Sequence, residues 1–177
     1  TLKKTKHFEY SKPYIVHRLD KETSGIFLLA KNRETAQFFT TLFRIRKIHK
    51  TYLAIVKGEV PKSLKIMNDI LEYFEKNRIT KLKATTYVKV LKSNNKYSLL
   101  ELNPKTGRKH QLRKQLFMRG FPIIGDQKYN IKQNKNSKDQ YMLLHSSKIK
   151  FMKNNKKFTY RADLDFNFKK KLNLYFR

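Results

Sequence analysis

Only 13 acidic side chains stand against 42 Lys and Arg in this chain of 177 residues, so each carboxylate can be weighed on its own. Asp20 is the most pointed of them. It lies in His17-Arg18-Leu19-Asp20-Lys21-Glu22-Thr23-Ser24-Gly25, a short acid between two cations in a segment that ends on a Ser-Gly turn. A carboxylate so flanked can be held ionised and aimed at a ligand. Asp and Thr also cap turns by accepting backbone N–H bonds, and the residue types alone leave both readings open. A second cluster is Thr106-Gly107-Arg108-Lys109-His110-Gln111-Leu112-Arg113. Gly107 and Arg108 stand where a helix is expected to open, and free N–H groups there suit an anion. On that helix Lys109, His110 and Arg113 fall on one cationic face, for which a merely solvated surface is the plainer alternative. The third segment is Lys50-Thr51-Tyr52-Leu53-Ala54 with Gly58. Its tyrosine, on an alternating strand, is either a core residue or a platform for stacking a base.

Several chemistries are excluded. With no cysteine there is no disulfide, thiolate zinc site or cysteine nucleophile. The five histidines, at 7, 17, 49, 110 and 145, show no paired spacing with carboxylates, so no metal site is expected. Five glycines leave no room for a P-loop or a dinucleotide fingerprint. No apolar run is long enough to cross a bilayer. A net charge of +29 points to a polyanionic partner, because Lys and Arg that neutralise phosphates release condensed counterions. Compositional bias is the competing account, since 32 of the cations are Lys and 10 are Arg.

The elements that must position these groups can be read coarsely. Tyr14 to Val16 reads as a short strand, and Gly25 to Ala30 as a buried one. Apolar residues at helical spacing predict a helix over 33–47, capped by Asn32. His49 to Val56 alternates as a strand up to the turn at Gly58. Residues 61–81 show no clear period. Ala84 to Leu91 and Tyr97 to Leu102 form a hairpin about 93–95. A helix is expected from about Arg108 to Met118, stopped by Gly120 and Pro122. Residues 130–139 read as a mobile surface loop, 141–151 as one or two strands, and the tail from Asp165 onward as a short basic helix. Strands outnumber helices, so the expected class is α+β: a single domain with a largely antiparallel mixed sheet flanked by a few helices.

Taken together, these segments resemble the RluA-type pseudouridine synthases. The resemblance rests on His17-Arg18-Leu19-Asp20 with Thr23-Ser24-Gly25 and Ala30-Lys31, and on Lys50-Thr51-Tyr52-Leu53-Ala54 with Gly58. Thr106 to Arg113, Gly120, Pro122 and Gly125-Asp126-Gln127-Lys128-Tyr129 continue it, and Leu144-His145-Ser146 with Phe151 close it. The motifs keep the family's order over roughly residues 13–151. Ser146 stands where a small Ala is usual, and the family's segment following the closing strand is not evident. The resemblance also implies one catalytic domain over 1–177 that lacks its N-terminal strand or strands and carries no S4-like domain.

What the resemblance implies is an isomerase that detaches uracil from ribose and rejoins it through carbon, with no cofactor and no metal. Asp20 is then the catalytic carboxylate. Such a group must be ionised in a site that excludes water, so it needs a fixed cationic partner, and Arg113 matches the family arginine in that role. Tyr52 matches the tyrosine that stacks on the target base and assists proton removal from ring carbon five. Arg18 resembles the residue that fills the space left by a flipped uridine. RNA contacts extend to His17, Lys21, Thr23, Arg108, His110 and Gln111. The implied partner is structured RNA, ribosomal RNA ahead of tRNA, bound by a cytoplasmic monomer with no membrane association. An organellar location would apply if a transit peptide had preceded Thr1. A non-catalytic basic RNA-binding or RNA-folding module is the alternative from a different class.

Overall fold

The computed structural model describes residues 12–75, 77–129 and 141–177. Strand β4 (His49–Lys57) is its organising element. Its side chains alternate so that Tyr52, Ala54 and Val56 join one buried cluster while Leu53 and Ile55 join another. A strand apolar on both faces must be covered on both, and that is its situation. Helix α2 (Gln111–Met118) covers one side through Leu112 and Leu116. Helix α3 (Phe166–Tyr175), capped by Asp165, covers the other through the fully buried Phe168.

Around β4 runs a seven-stranded sheet in the order β2-β8-β4-β7-β6-β5, with β9 on the far side of β8. Its other members are β2 (Ser24–Gly25), β5 (Ile66–Glu75), β6 (Arg78–Ser93), β7 (Tyr97–Pro104), β8 (Leu144–Lys153) and β9 (Lys156–Arg161). All pairings are antiparallel except β2 with β8. The α+β class with a largely antiparallel mixed sheet is therefore the observed one. A two-residue ribbon of β1 (Tyr14–Ile15) and β3 (Leu29–Ala30) stands apart. Helix α1 (Arg33–Arg44) lies beside it, with the Asn32 side chain accepting from the Thr35 N–H as the expected cap. The Phe38, Phe39, Leu42 and Phe43 face of α1 packs on Ile48, Ile149 and Phe151.

Three expectations are corrected. Gly25 to Ala30 is not one buried strand: it divides between β2 and β3, Phe27 is exposed, and only Ala30 is fully buried. Residues 61–81 hold β5 and the start of β6, a long edge hairpin. Helix α2 begins at Gln111, not near Arg108, because His110 takes a left-handed conformation with φ 51° and no side-chain cap. The loop expected at 130–139 lies outside the described residues. Among the described residues no helix is long and apolar enough to cross a membrane.

Candidate active site

A cleft of about 310 Å³ opens where three segments meet, within the roughly 300–1,000 Å³ span of small-molecule sites. The turn before β2 supplies Arg18, Leu19, Asp20 and Thr23, strand β4 supplies Lys50 and Tyr52, and the segment from Pro104 to Arg113 supplies the third wall. A second depression continues from it past Lys21, Glu22 and Lys128, sharing Asp20 and Arg113. Among the described residues Asp20 is the only acid lining the first cleft, beside Arg18, Lys50, Arg108, Lys109 and Arg113.

The turn is fixed from both ends. The Thr23 N–H donates to the Asp20 carbonyl at 2.9 Å, and β2 is held in parallel register with β8. At Gly25, φ is +101° and a Cβ would lie 2.3 Å from the Ser146 carbonyl oxygen. Only glycine allows that approach. Asp20 is thereby anchored a short distance from the sheet, with its side chain 16% exposed.

Arg113 rises from α2 beneath it. Its Nε and one terminal nitrogen donate to both oxygens of Asp126, at 2.7 and 2.8 Å, and the other terminal nitrogen donates to Asp20 Oδ2 at 3.3 Å. The Tyr129 ring lies 5.2 Å from the guanidinium carbon. Burial opposes the charge on Arg113, yet the hydrogen bonds and charge of Asp126, followed by Asp20, outweigh it and hold the guanidinium above its ordinary pKa. The cation is permanent and shared by Asp126, which is locked, and Asp20, which faces the cleft, with Glu22 Oε2 further off at 3.8 Å from the same nitrogen that meets Asp20. Asp126, 1% exposed, also accepts from the Lys128 and Tyr129 N–H groups at 3.0 and 3.1 Å. It belongs to the motif used for the family resemblance, but nothing in its neighbourhood along the chain marked it as the partner of Arg113.

Tyr52 lines the same cleft. Burial pushes its phenol up to about 12. The Ser146 hydroxyl, which completes no hydrogen bond among the described residues, lies near enough to work in the opposite direction. Tyr52 is thus a neutral phenol at neutral pH on the wall of the cleft.

The remaining predicted contacts divide. Arg18, Thr23, Arg108 and His110 line the cleft and Lys21 its extension. The Arg108 Nε donates to the Lys83 carbonyl at 3.2 Å, fixing its stem. His110 Nε2 is 3.7 Å from Asp20 Oδ1, and its other ring nitrogen meets the Tyr129 hydroxyl at 2.9 Å. Burial lowers the His110 pKa, with Asp20 opposing and Arg113, Lys128 and Lys109 reinforcing, so the neutral ring is a polar neighbour of Asp20 and not its counter-ion. The expected cationic face of Lys109, His110 and Arg113 is not formed. Lys109 precedes the helix and reaches Glu75 at 3.3 Å, while Arg113 is buried.

Two placements differ from expectation. His17 does not line the cleft; its ring packs on Phe27 and Phe43, and its Nε2 accepts from the Leu28 N–H at 2.8 Å. Burial, then the charge of Lys50, lowers its pKa to about 4. It is a packing histidine instead of an RNA contact. Gln111 touches the cleft wall but is 4% exposed and fully engaged. Its carbonyl accepts from Thr106 Oγ1 and the Arg108 N–H, and its amide donates to the Thr85 carbonyl and Thr86 Oγ1. Its part is to tie the β7–α2 loop to β6.

An acid anchored over a permanent guanidinium, with an aromatic wall beside it, is the arrangement expected from the motifs. Residues 1–117 match the family model described as RNA pseudouridylate synthase. The chain belongs to this family. Within the RNA pseudouridylate synthases its relatives include ribosomal large subunit pseudouridine synthase D of Borreliella burgdorferi. That protein is 38% identical over 148 residues, which cover 80% of this chain and 45% of the relative. The tRNA pseudouridine synthase C of Haemophilus ducreyi is 36% identical over 174 residues, covering 85% of this chain and 72% of that one. A solved structure, human RNA pseudouridylate synthase domain containing 4, superposes with a TM-score of 0.79 at 26% identity, covering 93% of this chain and 76% of that chain. The chain spans about half the length of the ribosomal pseudouridine synthases it matches. Among the described residues no group of His, Asp or Glu is placed to hold a metal ion.

Proposed function

We propose that this chain isomerises uridine to pseudouridine in structured RNA, with 1–177 acting as one catalytic domain and Asp20 as the catalytic carboxylate. The observation that carries the reading is the Asp20–Arg113 contact at 3.3 Å, on the wall of a cleft of about 310 Å³. The bond between N1 and the ribose carbon breaks, the uracil turns, and a bond from C5 to the same carbon replaces it. The C5 proton leaves to solvent and N1 regains one, so atoms balance without an added reactant. Arg113 keeps the carboxylate charged where water is partly excluded, and the Tyr52 ring supports the everted base. Eversion from a stacked strand costs a few kcal/mol, which Arg18 offsets by entering the vacated space.

Large-subunit ribosomal RNA is the proposed substrate and tRNA the second choice. The relatives named for ribosomal RNA and the one named for tRNA support that order, and the excess of 29 positive charges supports a backbone grip that does not read sequence. Action as a cytoplasmic monomer is part of the same proposal. The test is tritium release from RNA labelled at uridine C5, compared between the native chain and Asp20→Asn. Release by the native chain and none by the variant is expected, and equal release from both would overturn the assignment.

A further inference from the structure

Arg113 is held by acids, but Lys50, a half-buried cation in the same cleft, has no acid against it among the described residues. Lys50 lies two residues before Tyr52 on β4, about 7 Å along the strand, and both side chains line the cleft. Its Nζ rests against the backbone of the β7–α2 loop, 3.5 Å from where a Cβ on Gly107 would stand. Burial pushes its pKa down. Among the described residues it forms neither a hydrogen bond nor an ion pair. The one acid of the cleft, Asp20, is engaged by Arg113 instead. The titratable group nearest to Lys50 in effect is His17, whose pKa of about 4 keeps it neutral. A desolvated ammonium with no counter-charge costs stability and contributes nothing to packing that a Met would not. An anion that arrives with the ligand would supply the missing counter-charge.

We propose that Lys50 binds the backbone phosphate of the nucleotide whose base stacks on Tyr52. The inference rests on the isomerase reading and names the part of the substrate that the site has yet to account for. A phosphodiester lying about one strand step from a base stacked on Tyr52 would meet the ammonium. A compact point charge suits a phosphate oxygen there. Lys50 is in this sense a binding residue for the substrate's ribose-phosphate, distinct from Arg113, which serves the carboxylate.

The experiment titrates the full chain with uridine and with uridine 5′- and 3′-monophosphate, following protein resonances. The native chain is expected to bind one monophosphate about tenfold more tightly than uridine, as about 1.4 kcal/mol of added charge pairing requires. Lys50→Met should reduce that preference below twofold while leaving uridine affinity unchanged, with a melting temperature equal to or above the native one. Lys50→Gln, which keeps a polar end, should lose the preference equally. A preference retained in both variants overturns the proposal, as does a native chain that binds uridine and both monophosphates alike. Tritium release by the native protein is measured in parallel. Turnover there with no phosphate preference refutes the role of Lys50 alone, whereas absence of turnover refutes the isomerase reading.

Discussion

Two arginines, Arg113 within helix α2 and Arg119 at its C-terminal cap, make the same contact in different surroundings. Arg119 grips Asp69 of β5 with two hydrogen bonds at 2.9 and 3.1 Å and gives its remaining reach to the Gln115 carbonyl of its own helix. Arg113 grips Asp126 as tightly, but its third direction points at Asp20 in the cleft. The first is a clamp between helix and hairpin. The second is a clamp with one donor left over, and under the proposed function that donor holds the catalytic carboxylate. A bidentate pair fixes the guanidinium plane, so Asp126 decides where the free nitrogen lies and Asp20 meets a cation that cannot wander.

The contrast can be broken at four points. The largest effect is expected from Asp20→Asn, with activity falling about 10⁴-fold or more and the melting temperature little changed, since Asp126 still holds Arg113 through two hydrogen bonds. Asp126→Asn should be the structural counterpart. A buried pair that loses one partner costs about 3–5 kcal/mol, and chemical denaturation should show that loss together with reduced activity. Arg119→Met at the other clamp touches a pair left 24% and 13% exposed. We expect about 1–2 kcal/mol there and a rate within threefold of the native one; a collapse of activity would show that the two clamps are not separable. The smallest effect concerns His17, outside both systems. Its folded pKa of about 4 lies below the ordinary 6.5, so the unfolded chain binds the extra proton first. The stabilising contribution is complete above pH 6.5 and is lost as pH falls towards 4. Screening at a partly exposed ring limits it to about 1–2 kcal/mol. Melting temperature should fall as pH is lowered through that window, and the dependence should flatten in His17→Gln.

Local chemistry made much of the fold legible. Asn32 and Asp165 cap their helices through oxygens that accept from the Thr35 and Phe168 N–H groups, and β4, β6 and β7 alternate as read. The edge hairpin escaped because its two faces are both partly apolar. Met67, Leu71 and Tyr73 turn inward while Ile66, Ile70 and Phe74 turn to solvent, which erases the period of two. Helix α2 was read too early because Arg108 and Lys109 have good helix propensity, while the left-handed turn at His110 is imposed by the loop that Gln111 ties to β6. In the site, Asp20, Tyr52 and Arg113 converge on one cleft, whereas Asp126 and Lys50 became visible only in three dimensions. The first is defined by a partner 13 positions away, and the second by having no hydrogen-bond or ion-pair partner among the described residues.

Ser146 of β8 sits between Gly25 on one side and Tyr52 on the other. The strand that carries the acid's turn and the strand that carries the aromatic ring therefore take their spacing from a single residue. A shift of β8 by a fraction of an ångström would move both at once and in the same sense, so the gap between them is insulated from the small distortions that mutations elsewhere impose. Drift in that gap would need β8 itself to slip, and slippage there would unmake the sheet before it detuned the site.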